Sequence, residues 1–375
     1  MVLNKKALTE NLFLLFSAME LLMGLLDNCN ITVPLSRYIL WGFLLYYGYV
    51  AMSQPHEKQE LIILAFLVCI GVLLYANSGL NIGIKLPFYL YAMRDIDKRK
   101  YCKMIATVIL GFTFCTAVAA ECFGFGTLYF EYGYGRGIRG QRYCLGYSNP
   151  NRVMGVVLMA LIFGIAVLGS KMNWKLYVLT AVGFTILYLF TDSRTSYYIG
   201  MVILAGGFIF RKMHGESVCR VLYVGTLIVF AGMLIISILA ACRVDNGLMQ
   251  LIDKCITGRM NQLGTYTGDA GYALPYIENW HLFGNEINHN GYDMGYVQIF
   301  YYYGIIPGIC YILFIFSAIV KVWRNRDDLS LLLILGLCTF LFMESMYFSN
   351  FIPMHFVMTY SAVVIWKNNG QGTKV

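Results

Sequence analysis

Residues 242–308 read CRVDNGLMQLIDKCITGRMNQLGTYTGDAGYALPYIENWHLFGNEINHNGYDMGYVQIFYYYGIIPG. Up to Gly295, where an apolar run resumes, polar, charged and turn-forming residues dominate, among them Arg243, Asp245, Asp253, Lys254, Arg259, Asp269, Glu278, His281, Glu286, His289 and Asp293. Nowhere else does the chain stay polar for so long. Across the whole chain 59% of residues are hydrophobic and only 13% charged, with a mean hydropathy of +0.63. Globular proteins carry about 25% charged residues. The composition predicts an all-α integral membrane protein, because the apolar runs are long and continuous instead of alternating in the ~10-residue segments of a barrel.

Working outward from that stretch, apolar runs fall near 8–26, 35–52, 61–77, 79–93, 104–123, 151–169, 176–190, 196–210, 221–241, 295–320, 329–348 and 352–366. At ~20 residues per crossing they predict about twelve transmembrane helices, some short enough to need tilt. One polytopic domain over 1–375 is expected, with 242–294 a large extracytoplasmic loop before the tenth helix. The first run has no small-residue cleavage site and reads as a span. Eleven cysteines lie scattered with no CxxC pair, a pattern of packing thiols and not of a metal or disulfide framework. The net charge of +8 is spread over membrane loops, unlike a nucleic-acid surface.

Lys and Arg orient the chain. With the N-terminus inside, the cations at 5–6, 58, 94–103, 171–175, 211–220, 321–326 and 367–374 all fall on the cytoplasmic face. The other face receives Arg37, Arg136, Arg139, Arg142, Arg152, Arg194, Arg243, Lys254 and Arg259, with Lys85 inside a span. Both termini are therefore expected in the cytoplasm. Most of the outer cations crowd into three junctions, 131–152, 191–196 and 242–259. Cations kept where insertion disfavours them suggest anion binding, and the planar fork of arginine suits phosphate. Snorkelling to headgroups, or pairing with nearby acids, is the competing reading.

The first junction, EYGYGRGIRGQRYCLGYSNPNRVMG, has glycines but neither a preceding strand nor a βαβ unit, which excludes a nucleotide-binding loop. Asn149 can cap the following helix and Pro150 suits its first turn, placing Arg152 at the positive helix end. The second junction, TDSRTS, offers Arg194 between hydroxyl residues, with Asp192 close enough for a plain local salt bridge. In the third, Arg259 follows a turn. Tyr266, Tyr272, Tyr276 and Trp280 offer flat faces for sugar rings, or else form an interfacial belt. Glu344 is an intramembrane acid and a functional candidate for that reason, with pairing to Lys85 the alternative.

SNPNRVMG, TDSRTSYY and HNGYDMGYVQIFYYYGIIPG, in this order, resemble segments of bacterial polysaccharide polymerases, the Wzy-type enzymes related to O-antigen ligases. The resemblance covers mainly 140–200 and 255–310. It implies a GT-C-like fold in the bacterial inner membrane and inverting, metal-independent glycosyl transfer with no cofactor. A hydroxyl of one polyprenyl-diphosphate-linked oligosaccharide attacks the anomeric carbon of another, and polyprenyl diphosphate leaves. By position, the resemblance implies diphosphate binding by Arg152, Arg194 and Arg259, with Arg139 and Arg142 nearby, and glycan contacts by the loop aromatics and Tyr296. Ligases of this superfamily carry a histidine in an HNxY pattern. His289 fits its letters, whereas the spacing back from Gly304 fits Asp293, so both stand as the base. Expected partners are the lipid-linked donor and acceptor, membrane lipids, and a chain-length regulator and flippase of the same pathway. A ligase is the nearest alternative. A lipid-linked oligosaccharide flippase is the alternative of another class, disfavoured by the absence of an internal repeat or a charged path through the midplane.

Overall fold

The computed structural model describes residues 2–34, 36–130, 141–210, 216–265, 273–285, 292–344 and 350–366. Within them the chain is almost wholly helical: α1 (Val2–Asp27), α2 (Ser36–Met52), α3 (Lys58–Ser78), α4 (Ile82–Ala92) and α5 (Lys98–Phe123) precede a short antiparallel hairpin, β1 (Tyr129–Phe130) with β2 (Arg142–Tyr143). Then come α6 (Pro150–Leu168), α7 (Trp174–Thr191), α8 (Arg194–Phe210), α9 (Glu216–Ala241), α10 (Gly247–Cys255), α11 (Arg259–Thr265), α12 (Gly295–Gln298), α13 (Ile305–Asn325), α14 (Asp328–Met343) and α15 (Phe356–Ile365). Seven described helices, in α1, α3, α5, α6, α7, α9 and α13, are long and apolar enough to cross a membrane. Shorter apolar helices lie in α2, α8, α14 and α15. Large side chains such as Ile62, Phe66, Phe114, Leu179, Leu189, Val202 and Ile228 stand exposed along these helices. An apolar exterior of that kind belongs in lipid.

The chain divides into two compact units, each assembled from separate stretches: Met1–Phe43 with Ile96–Gly215, and Leu44–Asp95 with Glu216–Val375. In the first, α1 and α5 run parallel. Lys100 meets Glu10 at 3.0 Å near their starts, while just past the end of α1 the Asn28 carbonyl accepts from the Ser148 backbone N–H and hydroxyl at 3.0 and 2.9 Å ahead of α6. Asn149 caps α6 by accepting from the Asn151 N–H at 2.8 Å, and Pro150 occupies the first turn, as the sequence predicts.

In the second unit, α3 and α4 form a tight hairpin in which a Cβ on Gly71 would strike the backbone of Gly83, an approach open only to glycine. α4 is short and contains Pro87 and the fully buried Lys85, whose ammonium donates to the Asn350 carbonyl at 2.8 Å.

One expectation changes here. The apolar run over 295–320 is not one helix. After α12 the chain takes a π-helical turn at Ile299–Tyr303, every residue of it buried, and breaks at Gly304, which adopts φ +94°. A Cβ there would run into the backbone of Gly284, itself at φ +90°. Only glycine takes such angles without strain. Among its described residues, the polar interval 242–294 carries α10, α11 and a 3-10 turn at Ile277–Asn279. Its carbonyls at His281 and Leu282 accept from Ile305 and Ile306 at 2.9 and 3.1 Å, satisfying N–H groups that the first turn of α13 would leave orphaned.

Candidate functional site

In the second unit three residues from distant parts of the sequence meet. Arg259, the first residue of α11, donates through one terminal nitrogen to Asp293 and through the other to Glu344 at 2.7 Å. The Arg259 and Glu344 side chains are 6% and 7% exposed, whereas Asp293 is 31% exposed. The guanidinium is thus sealed inside on one carboxylate and presents the other toward the surface.

Each member is held from below. Asp253, buried on α10, accepts from the Met260 N–H at 2.7 Å and accepts from Gly258 through its backbone carbonyl at 2.8 Å, fixing where α11 begins and so where Arg259 stands. Asp293 lies between two residues that are fully buried, Tyr292 and Met294. Gln298 donates to the Tyr292 carbonyl at 2.8 Å, and the Tyr292 ring stacks on Tyr302 with centroids 6.3 Å apart. Burial pushes the Tyr292 phenol well above its ordinary range, so this neighbour of Asp293 in the chain stays neutral. Glu344 caps the end of α14, its N–H donating to Phe340 at 2.9 Å. Gly295 lets α12 lie against that end, since a Cβ on it would strike the Leu341 carbonyl.

The resemblance puts Arg259 on the donor diphosphate. Instead its fork is occupied by two carboxylates, the natural state for a guanidinium buried this deeply. Glu344, for which the sequence offers Lys85 as a partner, accepts from Arg259. No single local signal announces this trio: Arg259 and Asp293 are 34 residues apart, and Arg259 and Glu344 are 85 apart.

Among the expected glycan-binding aromatics, Trp280 stacks on Phe300 at 5.1 Å and donates to the Pro275 carbonyl. Tyr276 carries the Arg243 guanidinium over its ring at 4.0 Å, and Arg243 also pairs with Glu278. Tyr296 is fully buried and donates to the Cys338 carbonyl at 3.3 Å, so its ring packs helices and shows no face to a sugar. Tyr266, Tyr272, His289 and Arg139 lie outside the described residues.

The first unit holds Arg142, Arg152 and Arg194. Arg142 donates to the Thr191 carbonyl at 2.9 Å, the Asn151 side chain at 3.0 Å and the Asp192 carbonyl at 3.2 Å. It thereby ties β2 to the start of α6 and places a cation on the negative end of α7. The first two polar junctions are therefore brought together through Arg142. Arg152, half-buried in the first turn of α6, makes a long 3.5 Å contact with the Asn28 carbonyl and interacts with the Asp27 charge. Arg194 and Asp192 approach to 3.6 Å, each 40% exposed, which is the plain local pair that the sequence allows. At that exposure the pair contributes ~1 kcal/mol or less, so the Arg194 fork can exchange Asp192 for an incoming anion at small cost.

No group of three or more His, Cys, Asp and Glu that could hold a metal occurs among the described residues. Comparison of the chain with family models, with curated proteins and with solved structures finds no match.

Proposed function

We propose that the chain is a membrane glycosyltransferase that joins glycans carried on polyprenyl diphosphate, with Asp293 as the proton acceptor. The observation that carries this reading is the asymmetric trio, in which a buried Arg259, anchored by a buried Glu344, holds the more accessible carboxylate of Asp293. The arrangement fixes one carboxylate at a set place with a third of its surface open, where an acceptor hydroxyl can reach it. In the proposed step the acceptor hydroxyl oxygen bonds to the anomeric carbon while the bond from that carbon to the diphosphate oxygen breaks. The electron pair leaves with the diphosphate, and the hydroxyl proton passes to Asp293. Arg259 and Glu344 act here as positioning residues, holding the carboxylate within reach.

Negative charge grows on the departing diphosphate, and fixed cations would stabilise it. Arg194 and Arg152 are proposed for that role, Arg194 because its acid partner Asp192 is exposed and weakly held, Arg152 because it sits in the first turn of α6. Purified protein with a defined lipid-linked oligosaccharide tests the reading. A ladder of products is expected from the native chain and its loss from Asp293→Asn at unchanged thermal stability. Near-native turnover by Asp293→Asn would remove Asp293 from the mechanism, and a single transfer to a different acceptor would mark a ligase.

A further inference from the structure

α10 lies in the polar interval, yet its polarity is inverted. Leu248 and Leu251 are 65% and 59% exposed, while Asp253 is buried. At 100° per residue the helix and its C-terminal cap divide into three sectors of about equal width. Leu248, Leu251 and Cys255 share one sector and are exposed; Met249, Asp253 and Ile256 share the second and are buried; Gln250 and Lys254 share the third and are exposed. Ile252, on the border between the first two, is half-buried. A helix packed on a protein and otherwise bathed in water has no use for the first sector.

We propose that α10 is an interfacial helix, its Leu248–Leu251–Cys255 sector dipping into the acyl boundary of the bilayer and its Gln250–Lys254 sector facing the headgroups. Two observations identify lipid as the occupant. The helix just before it in the chain, α9, is long and apolar enough to cross a membrane and exposes Ile228, Ile235 and Ile238 at 66%, 56% and 38%, and Val244 in the short connection between the two is exposed as well. With nine residues α10 is too short to cross, so a helix that follows α9 after only the connection 242–246 rests at the membrane surface. The division into apolar, protein-facing and polar sectors is what the boundary between lipid, protein and water requires.

The placement has a structural consequence. Asp253, on the protein-facing sector, supplies the oxygen that caps α11, whose first residue is Arg259. The bilayer surface therefore sets the height of the helix that carries the arginine. Lipid contact by α10 is independent of the reaction proposed above and stands or falls separately from it.

Depth measurement on the full chain, in nanodiscs of phosphatidylethanolamine and phosphatidylglycerol, tests the placement. Spin labels are attached singly at 248, 251, 250 and 254 in a background with the exposed native cysteines replaced, with Ile238→Cys as the lipid reference. Labels at 248 and 251 should be relaxed by oxygen and shielded from a water-soluble nickel chelate, matching position 238, while 250 and 254 show the reverse order. Chelate accessibility at 248 and 251 equal to that at 250 and 254 would overturn the proposal. So would shielding of 248 and 251 from both reagents, which would mean a protein partner or a second copy on this face.

Discussion

Replacing Arg259 by Met leaves two carboxylates where one guanidinium stood. Glu344 is only 7% exposed and loses a 2.7 Å charge-assisted hydrogen bond worth about 1.5–3 kcal/mol. Removing one partner of a buried pair typically costs about 3–5 kcal/mol, and Asp293, at 31% exposed, recovers water and adds little to that. Arg259→Met should therefore destabilise the protein by about 3–5 kcal/mol, read as a drop of several degrees in Tm in detergent. The double variant Arg259→Met, Glu344→Met exchanges the buried pair for apolar side chains of similar length. Such exchanges are often neutral or stabilising, so the double should regain most of the lost stability while Asp293, without its Arg259 contact, fails in transfer. A single variant as stable as the native chain, or a double less stable than the single, would refute the account of a sealed and mutually dependent pair.

Gly295→Ala should cost on the order of 1–3 kcal/mol, because the added methyl meets the Leu341 backbone at the end of α14 and that backbone cannot simply rotate away; transfer should fall with it, since Glu344 sits at the same end. Burial pushes the Cys29 and Cys144 thiols up to about 11, so at pH 8 both are almost wholly protonated and should resist iodoacetamide, whereas the exposed Cys242 reacts; mass spectrometry of the alkylated native protein checks this. Arg194→Ala and Arg152→Ala should each abolish product ladders in cells or with purified protein while lipid-linked single units accumulate. Normal polymer at normal protein level would remove the diphosphate role from that residue.

The helices are legible in the sequence because an uninterrupted apolar run has few other ways to satisfy its backbone in lipid, and the capping of α6 is legible because Asn149 and Pro150 act over two residues. The break at Gly304 is harder to read, since Tyr301–Tyr303 and Ile305–Ile306 are apolar on both sides and only the crossing of Gly284 demands a positive φ. The spacing of Leu248, Leu251 and Cys255 is present in the sequence but masked by the charges around it. Arg259, Asp293 and Glu344 each draw attention as a charge out of place. Their partnership cannot be read, because it is closed between residues 34 and 85 positions apart in the chain and not by any local spacing. Arg142 shows the same limit: its role on the end of α7 spans 49 residues.

The carbonyls of His281 and Leu282 on the first turn of α13 carry one more implication. The forward tip of a helix normally attracts phosphate through its bare amides, but at Ile305 and Ile306 those amides are already spent on the chain's own backbone. The positive end of α13 is thus withdrawn from any passing anion. In the reaction proposed above, binding of the charged lipid carrier is then left to guanidinium side chains, which can let go of it again.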